Sequence, residues 1–272
     1  MCALLFSACS VKNKPSTIEK SNPLVERQLL QMLENKDIFR LEACLEEEWS
    51  EISQGIALYI EAHLQNAFNK TEQSLQTIEI LLNEYSDSLN DTLFLGIYQL
   101  KADNLMKQYQ YGACVDAMKI AISNYGHAAD SVDFANMLNY CNVFEPLSAL
   151  PPQKMHITTN VTIPISRSRY FNQTLMQVRS GDKSEHFGFD MGANISIVSE
   201  SCAKRLGIRV LESSLEAEHV AGGKIQMKVG VADSLWIGDL LVENAYPNTV
   251  AVIGEVAFKS GEKIIRLDIS II

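Results

Sequence analysis

Phe187-Gly188-Phe189-Asp190-Met191-Gly192-Ala193-Asn194-Ile195-Ser196-Ile197-Val198-Ser199 is the stretch that decides the fold. Aromatic residues at period two read as a strand that delivers Asp190 into a turn at Gly192, and the small residues Ala193 and Asn194 follow before an apolar strand resumes. The plain structural reading of such an aspartate is an Asx-type turn in an ordinary β region. Ser199 to Leu206 then predicts one short helix, stopped by Gly207. Farther on, Ile225, Met227, Val229 and Val231 alternate with Lys224, Gln226, Lys228 and Gly230, and Leu235 and Ile237 continue the pattern after an expected turn. Gly222-Gly223 supplies a tight hairpin just before that strand. These signals together predict a small, mostly antiparallel β domain.

With these residues in order, the chain resembles the retropepsin-like aspartic proteases, whose bacterial members carry a Phe-x-Phe-Asp-Thr-Gly-Ala-Asn-x-Ser signature. Further features fall in matching order: Leu206-Gly207-Ile208 after the helix, His219 to Gly223 where that family has its flap, Ile237-Gly238-Asp239 at a strand turn, and Val252-Ile253-Gly254 before a last strand over 264–269. The resemblance spans roughly Ile157 to Ile269. It implies Asp190 as the catalytic carboxylate, an active-site loop of Met191, Gly192, Ala193 and Asn194, and a flap at Ala221, Gly222 and Gly223. The chain has one such aspartate, so by the same resemblance a second must come from another copy across a two-fold axis. Two carboxylates about 3 Å apart cannot both ionise; sharing a proton, one serves as base and the other as acid towards water and a peptide carbonyl. Met191 departs from the family, which has Thr or Ser there to tie the two loops by crossed hydrogen bonds. A thioether cannot donate one.

Upstream, Pro146, Pro151 and Pro152 mark a linker. The expected division is a leader and tether at 1–22, helices over 23–145, the linker at 146–156 and the β domain at 157–272. Between Leu24 and Val143 apolar residues recur at helical spacing, as in Ile52, Ile56, Tyr59 and Ile60, and again in Ala113, Ala117, Ile120 and Ala121. Breaks are expected near Asn35-Lys36, Asn69-Lys70, Ser86-Asp87, Gln108 to Tyr111 and Tyr125-Gly126. Gly55 and Gly96 stand 41 residues apart in similar surroundings. The stretch thus resembles a tetratricopeptide-type array, whose concave face would bind a peptide or partner protein or else cover the second domain. His63 lies on an apolar face and reads as a satisfied core residue, and Glu46-Glu47-Glu48 as a solvated helix face.

Of the 272 residues 47% are hydrophobic, enough for a sizeable core, and the net charge of −10 excludes a nucleic-acid footprint. Up to Leu150 there are 10 basic and 20 acidic residues against 13 of each afterwards, and four glycines against ten, so two domains of different class are expected. Met1 to Ser10 resembles the end of a bacterial lipoprotein signal, with Phe6-Ser7-Ala8-Cys9 as the lipidation box, although the basic region is missing and the apolar core is short. A start upstream of Met1 would supply both. Cys9 would then be acylated and the protein anchored in the cell envelope as a periplasmic lipoprotein; a cytoplasmic protein with an apolar terminus is the alternative. Cys44, Cys114, Cys141 and Cys202 form no C-x-x-C pair, and the histidines have no partners at metal spacing, so no metal or organic cofactor is implied. Two functions remain from different classes: an aspartic endopeptidase acting on a peptide or protein substrate through a homodimeric site, or a protease-like protein without activity that binds partners through its helices.

Overall fold

The computed structural model describes residues 21–157, 160–168, 174–189, 196–213, 215–218, 224–245, 251–253, 256–260, 263–267 and 270–271. Seven α-helices precede the first described strand: α1 (Pro23–Glu34), α2 (Ile38–Glu48), α3 (Gln54–Ala67), α4 (Thr71–Glu84), α5 (Asp91–Lys107), α6 (Tyr111–Ile120) and α7 (Ser131–Phe144). Capping fixes several starts. Asn22 accepts from the Leu24 amide ahead of Pro23 in the first turn, Asn90 accepts from Leu93, and Asp130 accepts from both Val132 and Asp133.

The first six helices form three hairpins closed by one recurring turn. Lys36, Asn69 and Tyr109 stand at its centre with φ of 56°, 58° and 60°, and the next residue's amide donates to the carbonyl five back: Asp37 to Met32, Lys70 to Gln65, Gln110 to Leu105. Only Asn69 is a residue suited to the left-handed region; at Lys36 and Tyr109 helix packing outweighs a penalty of about 1 kcal/mol. A buried polar chain joins the second and third hairpins. Fully buried Asn104 donates to Ser74 Oγ at 2.8 Å and to Leu100 O, Ser74 donates to Ala62 O, and Asn66 donates to Asn104 Oδ1 and to Asp103. Satisfied this fully, the chain fixes the register of the hairpins; leaving one member unpaired costs about 1–3 kcal/mol.

All five expected breaks are present, but a sixth, the 3₁₀ turn Trp49–Glu51 between α2 and α3, was not foreseen. Of the stripe expected on α6, Ala117 and Ala121 are buried, whereas Ala113 and Ile120 face solvent and Tyr111, Cys114, Val115 and Met118 complete the buried face. Glu46 and Glu47 are solvated as read.

The strands are β1 (Lys154–His156), β2 (Ile165–Arg167), β3 (Thr174–Ser180), β4 (Lys183–Gly188), β5 (Ile197–Ser199), β6 (Arg209–Val210), β7 (Leu215–Glu218), β8 (Lys224–Ile237), β9 (Leu240–Ala245), β10 (Ala251–Ile253), β11 (Val256–Ser260), β12 (Lys263–Leu267) and β13 (Ser270–Ile271), with helix α8 (Glu200–Leu206) after β5. Pairing runs β8-β10-β5-β13-β4-β3 and returns from β3 to β8 through Val178↔Ile237 and Arg179↔Trp236, which closes a small barrel. Most pairs are antiparallel; β10 with β5 and β13 with β4 are parallel. Phe187, Val178, Val198, Leu235 and Ile237 fill the barrel together with Cys202, Ala203 and Leu206 of α8. α8 begins and ends as expected, with Ser199 capping Cys202 and Gly207 at φ 72°.

Two expectations need correction. β8 is one 14-residue strand, with no turn between Val231 and Leu235, because Gly230, Val231 and Ala232 are buried in succession where the strand passes between two cores. The strand expected over 264–269 is β12, Lys263–Leu267, but it is not the last: among the described residues β12 pairs only with β11, and β13 is the strand that enters the barrel.

Gly238 turns β8 into β9 at φ +57°, and a Cβ there would collide with Thr162 O and lie 3.0 Å from Ile163 Cα. Both contacts are backbone and cannot swing aside. Gly238→Ala is expected to lower stability by about 2 kcal/mol or more, read as a shift in urea midpoint; an unchanged midpoint would show that the 160–168 segment does not press on this turn.

Candidate active site

Strand β4 ends with Phe187 inside the barrel and Gly188 buried, and Phe189 continues the pairing, its amide donating to Thr174 O at 2.8 Å. The Phe189 side chain is 44% exposed, so the two aromatic residues take opposite sides, as period two requires. Asp190, Met191, Gly192, Ala193 and Asn194 lie outside the described residues. So do Ala221, Gly222 and Gly223 of the expected flap, and Cys9. What the structure supplies is the frame in which the turn must close.

That frame is narrow. The chain leaves β4 at Gly188 and re-enters the sheet at Ile197, and Ile271 of β13 pairs with both, parallel to one and antiparallel to the other. One strand therefore separates the two ends of the turn, roughly 10 Å from β4 to β5. Ser196 is buried at the re-entry, and three residues later Ser199 anchors α8: its Oγ accepts from the Cys202 amide at 3.1 Å and lies 3.0 Å from Ser201 Oγ. From its far end α8 is held to β4 by Arg205, whose Nε donates to Glu185 Oε1. The segment that must hold Asp190 thus begins and ends on rigid, mutually braced elements.

β7 and β8 form the expected hairpin, with Glu218 opposite Lys224. Its relation to the turn follows from the register: Ile197 lies beside Ala251 and Ala251 beside Val229, while Ser199 lies beside Ile253 and Ile253 beside Met227. Along this ladder β5 and β8 are antiparallel, so β5 leads away from residue 196 in the direction of the start of β8, at Lys224.

Among the described residues no group of three His, Cys, Asp or Glu side chains is placed to hold a metal ion. The strongly shifted titrating groups sit in the helices and owe their shifts to burial. Burial pushes Tyr59 up to about 12, aided by Glu34, and Cys114 up to about 11 against the opposing hydrogen bond with Tyr140, itself raised. Burial also pulls His63 down to about 4, with Asp103 opposing. His63 is half-buried and not the satisfied core residue expected: its Nε2 is sealed from solvent without a hydrogen-bond partner, and its ring meets Tyr59 edge-on at 4.7 Å.

Residues 176–260 match the family model described as aspartyl protease. Among solved structures, a retropepsin-like aspartic protease from Rickettsia conorii is similar at 20% identity over 44% of this chain and 76% of that chain, with a TM-score of 0.28. No curated protein matches the chain.

Because the folded His63 has a depressed pKa, the unfolded chain binds more protons between pH 6.5 and about 4. Stability contributed by neutral His63 is therefore present above 6.5 and lost as pH falls through this window, on the order of 2–3 kcal/mol. His63→Phe is expected to flatten this acid slope in thermal melts at pH 7, 5.5 and 4.5, and parallel slopes in the two proteins would refute it.

Proposed function

We propose that the protein is an aspartic endopeptidase of retropepsin type, with Asp190 as the catalytic carboxylate of a site completed by a second copy. The aspartyl protease match over residues 176–260 is the observation behind this reading; it spans the Asp190 turn and the β7–β8 hairpin. The closed barrel around Phe187 and the braced frame of β4, β13, β5 and α8 support it, because acid–base chemistry needs a carboxylate fixed to a fraction of an ångström. In this proposal the carboxylates of two Asp190 residues share a proton. The ionised one takes a proton from water as that water attacks the peptide carbonyl, and the protonated one donates to the carbonyl oxygen; as the C–N bond breaks, the first passes water's proton to the departing amine and the second takes a proton back from the diol hydroxyl. Gly192 and Ala193 give the turn its tightness, Asn194 keeps its surroundings polar, and Ala221, Gly222 and Gly223 are the closing element over substrate. The helical region, as a tetratricopeptide-like surface, takes up a peptide or protein, and acylated Cys9 ties the molecule to the envelope.

A second reading has two observations in its favour. Met191 supplies no hydroxyl to link two active-site loops, and by register the step from Ile197 to Ser199, away from residues 190–195, runs alongside the step from Val229 to Met227, towards the start of β8. A protein of this kind binds partners and cleaves nothing.

Cleavage of an unfolded protein at pH 4.5 and pH 7 separates the two. The expected outcome is acid-favoured cleavage that falls at least about 100-fold in Asp190→Asn; cleavage unaffected by that substitution removes Asp190 from the mechanism, and none under either condition favours the binding protein. Met191→Thr, which restores a hydroxyl donor, is expected to shift sedimentation towards the dimer and to raise any cleavage rate. A sedimentation profile identical to wild type would reject a loop-linking role for this position.

A further inference from the structure

Strand β8 has two different neighbours along its length. Ala232, Leu235 and Ile237 belong to the barrel core, whereas Met227, Val229 and Val231 belong to the core of the helical stack, buried with Tyr111, Cys114, Val115 and Met118 of α6 and with Met137, Cys141, Phe144 and Leu147 in and after α7. The three β8 residues have only 0–7% of their surface exposed. Ile197, the first residue of β5 after the Asp190 turn, and Leu211 pack against the same cluster, and α7 contacts β7. Hydrogen bonds hold the base of the hairpin as well: the Leu211 amide donates to Val229 O at 2.9 Å, and the Val229 amide donates to the Ser213 side chain at Oγ, 2.8 Å away. The turn after α7 is tied down beyond the helix, because Asn244 Nδ2 of β9 donates to Pro152 O.

We infer that α6 and α7 form an intramolecular brace that holds the root of the β7–β8 hairpin, so that the hairpin moves only when its apolar residues leave the helical core. The hairpin root and the helices then open as one unit, distinct from the barrel to which β8 belongs by hydrogen bonding. Anything that repacks α6 and α7, such as a peptide seated on the helical stack, loosens the hairpin by the same interface. That last consequence, as control of an active site, rests on the protease reading; the brace itself does not.

Hydrogen exchange of the full chain tests the brace without reference to activity. In wild-type protein, as urea rises below the unfolding transition, amides of 226–231 are expected to open together with those of 111–118 and 137–144, and apart from 176–188 in the barrel. Met137→Ala, which truncates a buried side chain of α7, is expected to speed exchange at 215–231 about tenfold or more with 176–188 unchanged. Val178→Ala, which truncates a barrel residue, is expected to do the reverse. The inference is overturned if 226–231 opens with the barrel in wild-type protein, or if Met137→Ala leaves 215–231 at the wild-type rate. Should Met137→Ala fail to fold, the wild-type urea series alone decides. A protein that shows the brace but cleaves nothing would refute the protease reading and leave the brace standing.

Discussion

The structure depends on the hydrophobic demand of a single strand. β8 is long enough to close the barrel at its C-terminal half, where Trp236 and Ile237 meet Arg179 and Val178 of β3, and to pair with β7 and β10 at its N-terminal half. In that first half its apolar side chains enter the helical core, not the barrel. Burial of Met227, Val229 and Val231 contributes about 1.5–3 kcal/mol each, comparable with a large part of a domain's whole stability. Separating the helices from the sheet exposes all three. Helices and barrel are thereby joined by a hydrophobic contact of the kind found inside domains, with the proline-containing segment 146–152 as its covalent companion.

The helical stack is built to hold such a contact steadily. Three hairpins end in the same turn, and the second and third are locked by Asn66, Asp103, Asn104 and Ser74, with Lys107 bonding both Asn66 and Asp103. Apolar packing alone tolerates sliding by a helical turn, because one apolar row resembles the next. A buried amide with every bond made does not. His63 sits beside this network with a sealed, unbonded nitrogen, so the same stack is weakened by acid, the condition under which paired carboxylates work best.

Much of this was legible in the residues. Breaks at Asn35-Lys36 and Asn69-Lys70, the cap at Ser199 and the stop at Gly207 are local events, decided by backbone chemistry within a few residues, and the structure has them in place. The alternation from Gln226 to Val229 is real, but period two names a buried face without naming what buries it; nothing in the pattern distinguishes a barrel from a helix stack, and so the brace could not be read. The supposed turn before Leu235 failed for a related reason. Ala232 and Ser234 look like turn residues, yet at a crossing between two cores small side chains are needed on both faces. β13 was hidden because two residues carry no periodicity, and their place between β4 and β5 is set by strands more than 70 residues earlier in the chain. Of the site itself, the strand leading to Phe189 and the capped helix were legible, the β13 strand that joins β4 to β5 was not, and residues 190–195 fall outside the described residues.

The charge distribution bears on how two copies could meet in the proposed two-fold site. All of the acidic excess lies before Pro151, where 20 carboxylates face 10 cations, while the remainder carries 13 of each. Copies that approached through their helices would bring like charges together within a screening length of about 8 Å, and no pairing between identical acidic surfaces removes that repulsion. The β halves face no such barrier, and Phe189, exposed next to the proposed carboxylate, offers apolar surface there. Acid favours the same encounter, since protonating helix carboxylates lowers the repulsion that remains while it brings an aspartate pair to its shared-proton state. Electrostatics therefore directs association towards the half of the molecule that the proposed chemistry requires, and leaves the helical face to partners of opposite charge.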